Sequence, residues 1–248
     1  MIRTHVWATS HIGLVRRRNE DSWAATGIQS SRSDGKIVTA DLGESPIVAV
    51  VADGMGGHPC GDLASQMAVE VVLEANPQTA AELVDAVYRA NDALYNHMAK
   101  DPETRRMGTT LAALLIRPDG IAIVNVGDSA VFELVEDRLL QLTIDDVPPE
   151  TKTLIGVPSG VVTQTLGGSI APQPIHPHLY QDAESGDRRF LLCTDGLTNF
   201  VPLSDIARAT REVAIAGEDA VASCVGLALK AGGRDNVTLM VLETDSDG

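Results

Sequence analysis

The sequence has 248 residues, of which 44% are hydrophobic and 21% charged, and its formal net charge is −15. This length and balance fit one large globular domain. The acidic excess argues against nucleic acid or an anionic membrane as the main partner, because their phosphates would be repelled. No apolar run is long enough to span a bilayer, and the first residues lack a basic segment followed by an apolar one. We therefore predict a cytoplasmic protein without a signal peptide.

The first half of the chain predicts one strand and two helices. The segment Ile47–Ala52 (IVAVVA) is an uninterrupted apolar run closed by Asp53-Gly54, which is typical of a buried strand. Apolar residues recur with helical spacing over about Cys60–Ala75 and again over Ala80–Ala99. These two stretches predict successive helices, each with one apolar face.

The second half predicts more strands, two further helices and a closing strand. Helical spacing covers Leu203–Ala214 and Asp219–Ala231, and Thr143–Ser169 is irregular and rich in Pro and Gly. This order is not a regular alternation of strand and helix, so it predicts layered, antiparallel sheets covered by helices. The segments predicted as strands are Gly108–Ile116, Gly120–Val126, Ala130–Glu136, Phe190–Cys193 and Val237–Glu243.

The three cysteines, Cys60, Cys193 and Cys224, are odd in number and lack the spacing of a metal site. A disulfide framework is therefore not expected. We predict that Cys193 and Cys224 are small buried hydrophobic residues.

Three aspartates lie at predicted strand ends. Asp53 and Asp195 follow apolar strands, and Asp235 precedes one. Carboxylates at strand ends are held rigidly near the rim of a sheet, and Mg²⁺ or Mn²⁺ prefers such oxygen ligands. Clustered aspartates would repel one another unless cations lay among them. Asp-Gly is also a common turn dipeptide, so the residues alone leave a turn and a metal site as alternatives.

Two further segments carry candidate chemistry. Asp128 lies in Val126–Ser129, where the alternative reading is a plain hairpin turn. In the Arg16–Asp21 segment, basic residues precede Glu20 and Asp21. An arginine can hold a phosphate through two hydrogen bonds, and carboxylates can hold metal-bound waters. The alternative for this segment is a charged surface turn.

Taken in order, these motifs resemble the metal-dependent protein phosphatase family, protein phosphatase type 2C, in its compact bacterial form. Any one motif is weak, but together they are specific, and they extend from about residue 10 to residue 243. The matching segments are Gly13–Ser22, Val51–His58, Met107–Thr110, Val126–Ser129, Leu142–Asp145, Thr165–Gly167, Thr194–Leu197 and Arg234–Asn236.

The resemblance implies an α+β fold and a metal centre. The fold is a four-layer α-β-β-α sandwich, in which two central, mostly antiparallel sheets are flanked by helix pairs. Residues 1–248 would form a single catalytic domain with a short flap at about 145–168. The centre would hold two Mn²⁺ or Mg²⁺ ions, with Asp53 bridging them. The Gly54 carbonyl would bind one ion, and Asp195 and Asp235 would complete the other.

The resemblance also assigns roles around that centre. Glu20 and Asp21 would act mainly through water, and Asp128 would join Asp195 at a site for a third ion. Arg16 matches the arginine that binds the substrate phosphate, so Arg16 and Asp53 are the predicted catalytic residues.

Some positions depart from the family pattern. Ala130 and Gln164 stand where arginine is usual, and Asp146 stands where histidine often follows the Leu-Thr-x-Asp motif. The flap is shorter than usual. Met55 occupies the place of a histidine that serves as general acid in the animal enzymes, so no residue is assigned to that role.

The implied function is hydrolysis of phosphoserine and phosphothreonine by a metal-activated water. The implied partners are a phosphorylated protein and the Ser/Thr kinase that it opposes, and a monomer is expected. One alternative is a catalytically weak, phosphatase-like module that binds a phosphoprotein as a regulator. Another is a phosphoester hydrolase of the same metal class acting on a small molecule.

Overall fold

A computed structural model of the chain describes residues 2–28, 35–55, 60–149, 161–211 and 217–246. Within these ranges the chain forms thirteen strands and five α-helices. The strands are β1 (Ile2–His11), β2 (Asp21–Ala25), β3 (Val38–Glu44), β4 (Ile47–Met55), β5 (Gly108–Thr109), β6 (Leu111–Arg117), β7 (Gly120–Val126), β8 (Ala130–Val135), β9 (Arg138–Gln141), β10 (Leu166–Gly167), β11 (His178–Asp182), β12 (Arg188–Cys193) and β13 (Val237–Ser246). The helices are α1 (Gly61–Glu74), α2 (Ala80–Lys100), α3 (Asp195–Thr198), α4 (Leu203–Arg211) and α5 (Gly217–Lys230).

Two sheets form the centre of the molecule. The first has the strand order β3-β1-β13-β12-β8-β9, and the second has the order β10-β5-β4-β6-β7-β11, with β2 also pairing with β4. Every strand pair described is antiparallel. Helices α1 and α2 pack on the second sheet, and α4 and α5 form a pair that packs on the first. The predicted four-layer α+β sandwich is confirmed.

Strand β4 explains why the layers hold together. Val48 and Val50 face a core shared with α1 and α2, whereas Ala49 and Val51 face a core between the two sheets. Side chains alternate between the faces of a strand, so a strand covered on both faces must be apolar throughout. Full burial of each such valine contributes roughly 1.5–3 kcal/mol relative to exposure. A third core lies between the first sheet and helices α3 to α5.

The structure corrects several predicted boundaries. Strand β4 continues to Met55, so Asp53 and Gly54 lie within the strand. The segment predicted as Gly108–Ile116 is divided into β5 and β6 at Thr110. Helix α4 is described from Leu203 to Arg211, and its predicted end at Ala214 falls in residues 212–216, which lie outside the described residues.

Strands β1 and β3 were not predicted, because their polar and apolar residues are mixed.

The cysteine prediction is confirmed, since Cys193 and Cys224 are free and fully buried. In the described part of the chain, the helices are too short or too polar to cross a membrane.

Candidate active site

Two carboxylates meet at one end of the second sheet. Strand β2 runs antiparallel to β4 with Asp21 directly opposite Asp53. The Asp53 N–H donates to Thr110 Oγ1 at 3.0 Å, and the Asp53 carbonyl accepts from the Thr110 N–H at 2.9 Å. Because the backbone of Asp53 is fixed on both sides, its side chain is presented from a rigid strand. Like charges directly opposite each other destabilise a strand pair, so this arrangement requires compensation.

The first sheet supplies two more carboxylates. Asp195 begins α3 directly after β12, and Asp235 precedes β13, which is the neighbour of β12 in the sheet. A Cβ atom at Gly196 would lie 1.8 Å from the Asn236 carbonyl oxygen, so glycine alone permits this close approach. Between the sheets, Thr194 Oγ1 donates to Asp21 Oδ2 at 2.9 Å. Four aspartates from two sheets therefore face one region, and we call Asp21, Asp53, Asp195 and Asp235 the aspartate cluster.

The pKa values of Asp53, Asp21 and Asp195 reflect both burial and the charges of their neighbours. Burial raises the pKa of Asp53 well above its ordinary value, and the charges of the other three aspartates raise it further. Burial raises the pKa of Asp21 to about 7, against the hydrogen bond from Thr194. Burial and the charge of Asp235 raise the pKa of Asp195 to about 6, while a hydrogen bond with Asp53 opposes them. These carboxylates share one partly buried site, where their charged forms repel each other.

Two oxygen atoms of the cluster have no partner among the described residues. Asp21 Oδ1 and Asp195 Oδ1 are both buried without a hydrogen bond. A buried acceptor without a partner costs about 1–3 kcal/mol, and more if it is charged. As the side chains stand, no group of three or more Asp, Glu, His or Cys residues within the described ranges is arranged to hold a metal ion. Even so, an all-oxygen donor set with buried, unpartnered oxygens fits a hard divalent cation.

Gly54 and Glu20 meet beside the start of α1. The Gly54 N–H donates to the Glu20 carbonyl at 3.1 Å, and Ser65 Oγ donates to the same carbonyl at 2.5 Å. A Cβ atom at Gly61 would lie 2.8 Å from Glu20 Oε1 and 2.9 Å from the Gly54 carbonyl oxygen. These two oxygens therefore approach the same point. Burial also raises the pKa of Glu20.

Arg16 reaches the cluster from the loop between β1 and β2. Its Nη2 atom donates to Asp235 Oδ2 at 2.7 Å, and about half of its side chain remains exposed. This hydrogen bond is the main cause of a raised pKa at Arg16. A guanidinium group carries five N–H donors, so several remain available for an anion beside the cluster.

The loop that carries Arg16 is fastened by Asn236, a residue to which the sequence analysis gave no role. Its Nδ2 donates to the carbonyls of Ile12 and Arg18, each at 2.9 Å, and its Oδ1 accepts from the Glu20 N–H at 2.9 Å. Its only signal in the sequence was its position directly after Asp235 in the Arg234–Asn236 motif.

Asp128 lies in the turn between β7 and β8, which begins with Gly127 at φ +94°. Burial, followed by the charges of Asp195 and Asp145, raises the pKa of Asp128 to about 8. Next to it, the hydroxyls of Ser129 and Thr110 are 2.7 Å apart, which links this turn to the neighbour of Asp53. The structure thus brings Asp128 to the edge of the aspartate cluster.

The departures at positions 146 and 164 belong to one hydrogen-bonded network. Asp146 Oδ2 accepts from the Gly127 N–H at 2.9 Å and from Gln164 Nε2 at 2.8 Å. Asp146 Oδ1 lies 2.8 Å from His178 Nε2. We call Gly127, Asp146, Gln164 and His178 the Asp146 network. It joins the turn of Asp128 to β11 through Asp146 and Gln164, which both lie in the predicted flap. Residues 150–160 of that flap lie outside the described residues.

Comparisons with known proteins agree with this geometry. Residues 26–224 match a family model described as protein phosphatase 2C. The chain is 30% identical over 260 residues to the serine/threonine protein phosphatase PstP of Mycobacterium tuberculosis, covering 95% of this chain. It spans only 44% of the length of that relative. It is 29% identical over 255 residues to the serine/threonine phosphatase stp of Listeria monocytogenes, covering 94% of this chain and 93% of that one.

A solved structure gives the same result for the fold. The crystal structure of the catalytic domain of PstP in complex with two manganese ions superposes with a TM-score of 0.78 at 27% identity. It covers 99% of this chain and 100% of that chain. Since the family model matches well over half of the sequence, and the fold and motif order agree with it, the chain belongs to the protein phosphatase 2C family.

Proposed function

We propose that this chain is a metal-dependent phosphoprotein phosphatase that hydrolyses phosphoserine and phosphothreonine. The observation that carries the proposal is the aspartate cluster, with its buried and unpartnered oxygens, next to the half-exposed Arg16. Membership of the family supports it, as do the names of the PstP and stp relatives. The PstP structure with two manganese ions supports dependence on a divalent metal.

The same residues supply a ligand set for the ions. Asp53 would bridge two Mn²⁺ or Mg²⁺ ions, with the Gly54 carbonyl on one and Asp195 and Asp235 on the other. Asp21 and Glu20 would act through water, and Asp128 would hold a third ion together with Asp195. Bound divalent cations would supply Lewis-acid chemistry, which activates water and neutralises phosphoryl oxygens.

The chain's own groups then orient the substrate. Arg16 donates hydrogen bonds to the phosphate and offsets its charge as the charge shifts in the transition state. The rigid strands hold the carboxylates in place, so little reorganisation is needed during the reaction. Because water serves as the nucleophile, no cysteine is required. Cys193 is also unsuited to that role, since burial raises the pKa of its thiol well above the ordinary value.

The proposed substrate is a phosphoprotein made by a Ser/Thr kinase, and the proposed setting is a monomer in the cytoplasm. The test is phosphate release from an aryl phosphate and from one peptide carrying phosphothreonine or phosphotyrosine at the same position. We expect activity only with Mn²⁺ or Mg²⁺, loss of activity with chelator, and preference for the phosphothreonine peptide.

The same protein sample also tests the alternative of a phosphatase-like regulatory module that binds a phosphoprotein without hydrolysing it. Calorimetric titration with Mn²⁺ measures metal binding independently of turnover. Tight Mn²⁺ binding without hydrolysis of any of the three substrates would contradict the phosphatase proposal and favour a phosphoprotein-binding module.

A further inference from the structure

The loop Gly13–Arg18, which we call the arginine loop, is held rigidly at its base. The Asn236 side chain donates hydrogen bonds to the carbonyl of Ile12, just before the loop, and to that of Arg18, its last residue. The Leu14 N–H donates to the Gly233 carbonyl at 2.7 Å, which fixes the first half of the loop. A loop positioned by a scaffold in this way presents its side chains in a defined place.

The side chains of the loop are exposed. Leu14 and Val15 are 65% and 64% exposed, and Arg16, Arg17 and Arg18 are exposed as well. Arg16 is bound to Asp235. In the part of the chain that the structure describes, Arg17 and Arg18 make neither an ion pair nor a side-chain hydrogen bond. The loop therefore carries two cations without an ion pair among the described residues, on a chain with a net charge of −15.

We propose that Arg17 and Arg18 select phosphoprotein segments that carry an aspartate or glutamate within about three residues of the phosphorylated one. The inference rests on the proposed function, because it takes Arg16 and the aspartate cluster as the place where the phosphate binds. Consecutive Cα atoms lie about 3.8 Å apart, and an extended peptide advances about 3.3 Å per residue. A peptide whose phosphate is at Arg16 thus brings its nearest neighbours to Arg17 and Arg18.

Charge complementarity makes an acidic segment the occupant. Charges on exposed groups are screened beyond about 8 Å at physiological ionic strength, so a bound peptide senses Arg17 and Arg18 rather than the acidic groups on the far side of the molecule. Arginine also pairs with a carboxylate through two parallel hydrogen bonds. The positive charge of Arg18 already acts on Glu20. It lowers the pKa of Glu20, whereas burial raises that pKa. Arg17 is expected to contribute more, because Glu20 already offsets part of the charge of Arg18.

The experiment compares three phosphothreonine peptides that differ only in the two residues on each side of phosphothreonine, which are Asp, Ala or Lys. The measured quantity is the ratio of kcat/KM for the Asp peptide to that for the Ala peptide, taken within each variant. A uniform loss of active protein therefore cancels. We expect a ratio of about threefold to tenfold in the wild type, the range that two exposed ion pairs support.

The Arg17→Gln/Arg18→Gln variant is expected to bring this ratio close to one and to lose discrimination against the Lys peptide. The matched control, Arg89→Gln/Lys100→Gln, removes two exposed cations from α2 and is expected to keep the wild-type ratio. The preference should also shrink in about 0.5 M salt. Equal ratios in the wild type and the loop variant would overturn the inference while leaving the phosphatase proposal intact. If the wild type releases phosphate from no substrate, the proposed function fails and this inference fails with it.

Discussion

The aspartate cluster and the Asp146 network are both built from partly or fully buried carboxylates, but they satisfy them differently. In the network, both oxygens of Asp146 have partners, supplied by Gly127, Gln164 and His178. In the cluster, Asp21 Oδ1 and Asp195 Oδ1 have none among the described residues. A carboxylate with a full set of donors is a structural group, whereas one that is left unpartnered in a dry site is available to a ligand.

The difference also appears in the charges. Burial and the charges of neighbouring carboxylates raise the pKa of Asp53, Asp21 and Asp195, and within the described ranges the only cation bonded to the cluster is the half-exposed Arg16. Asp146 is instead surrounded by donors from three separate segments. The comparison predicts that changes in the cluster will act mainly on metal binding and turnover. Changes in the network will act mainly on stability.

The largest expected effect is that of Asp53→Asn. Loss of the carboxylate opposite Asp21 should reduce metal-dependent turnover by about 10³-fold, the order seen when an electrostatic group is removed from a reaction centre. It should also abolish stabilisation by Mn²⁺ in a thermal unfolding assay. Asp85→Asn, which removes an exposed carboxylate from α2, is the matched control and should behave as the wild type. Near-normal turnover in Asp53→Asn would remove the cluster from the mechanism.

The second prediction concerns pH and the metal-free protein. The folded-state pKa values of Asp21 and Asp195 are raised to about 7 and about 6, above the ordinary value of 3.8. The folded protein therefore binds more protons than the unfolded chain between about pH 4 and pH 7, so its stability must fall as the pH rises through that window. In chelator, we expect the melting temperature to fall by about 5–10 °C between pH 5 and pH 8.

With Mn²⁺ present, the fall of the melting temperature with rising pH should weaken or reverse. Metal binding requires deprotonated carboxylates, so it strengthens as the pH rises. Melting curves at matched pH with and without Mn²⁺ measure the difference. Identical pH profiles under the two conditions would show that the cluster does not take up the ion.

Asp146→Ala should destabilise the protein by about 2 kcal/mol, because it leaves the donors at Gly127, Gln164 and His178 without their acceptor. Asp146→Asn keeps an acceptor oxygen and should recover more than half of that loss. Urea unfolding in the presence of Mn²⁺ measures the change. Turnover by Asp146→Ala should fall less than tenfold, far less than that of Asp53→Asn. A larger loss of turnover than of stability would place Asp146 in the active site itself.

The smallest effect is expected for Gln164→Ala, at about 1 kcal/mol. Gln164 donates to Asp146 and accepts from the His176 N–H, so it connects the network to the segment before β11. The Asp146→Ala/Gln164→Ala double variant should lose less than the sum of the two single losses, because both remove the same bond. Additive losses would show that the two residues act independently.

The sequence was informative wherever one local pattern decides the structure. The apolar run of β4 predicted its strand, and the helical spacing of α1 and α2 placed both helices within about a residue. The strand ended later than predicted because the Asp-Gly pair, read as a turn signal, continues the ladder with Asp53 opposite Asp21 and Gly54 opposite Thr109. A glycine inside a strand can mark close approach of another backbone, which is its role here.

The site was predictable as a set of motifs but not as a geometry. Asp53, Asp195 and Asp235 come together through the packing of two sheets, which no local pattern encodes. The Asp146 network was missed for the same reason, since His178 lies 32 residues from Asp146 and reaches it through the pairing of β11 with β7. The role of Asn236 could not be predicted either, because its three side-chain hydrogen bonds go to residues near the opposite end of the chain.

The position of β13 has a consequence for biosynthesis. It follows both β1 and β12 in the chain, yet it lies between them in the first sheet and pairs with each. Until it is synthesised, β1 and β12 both present bare edges and Asp235 has no framework to hold it. The first sheet therefore closes only after β13 has been made, and the aspartate cluster cannot assemble before that step.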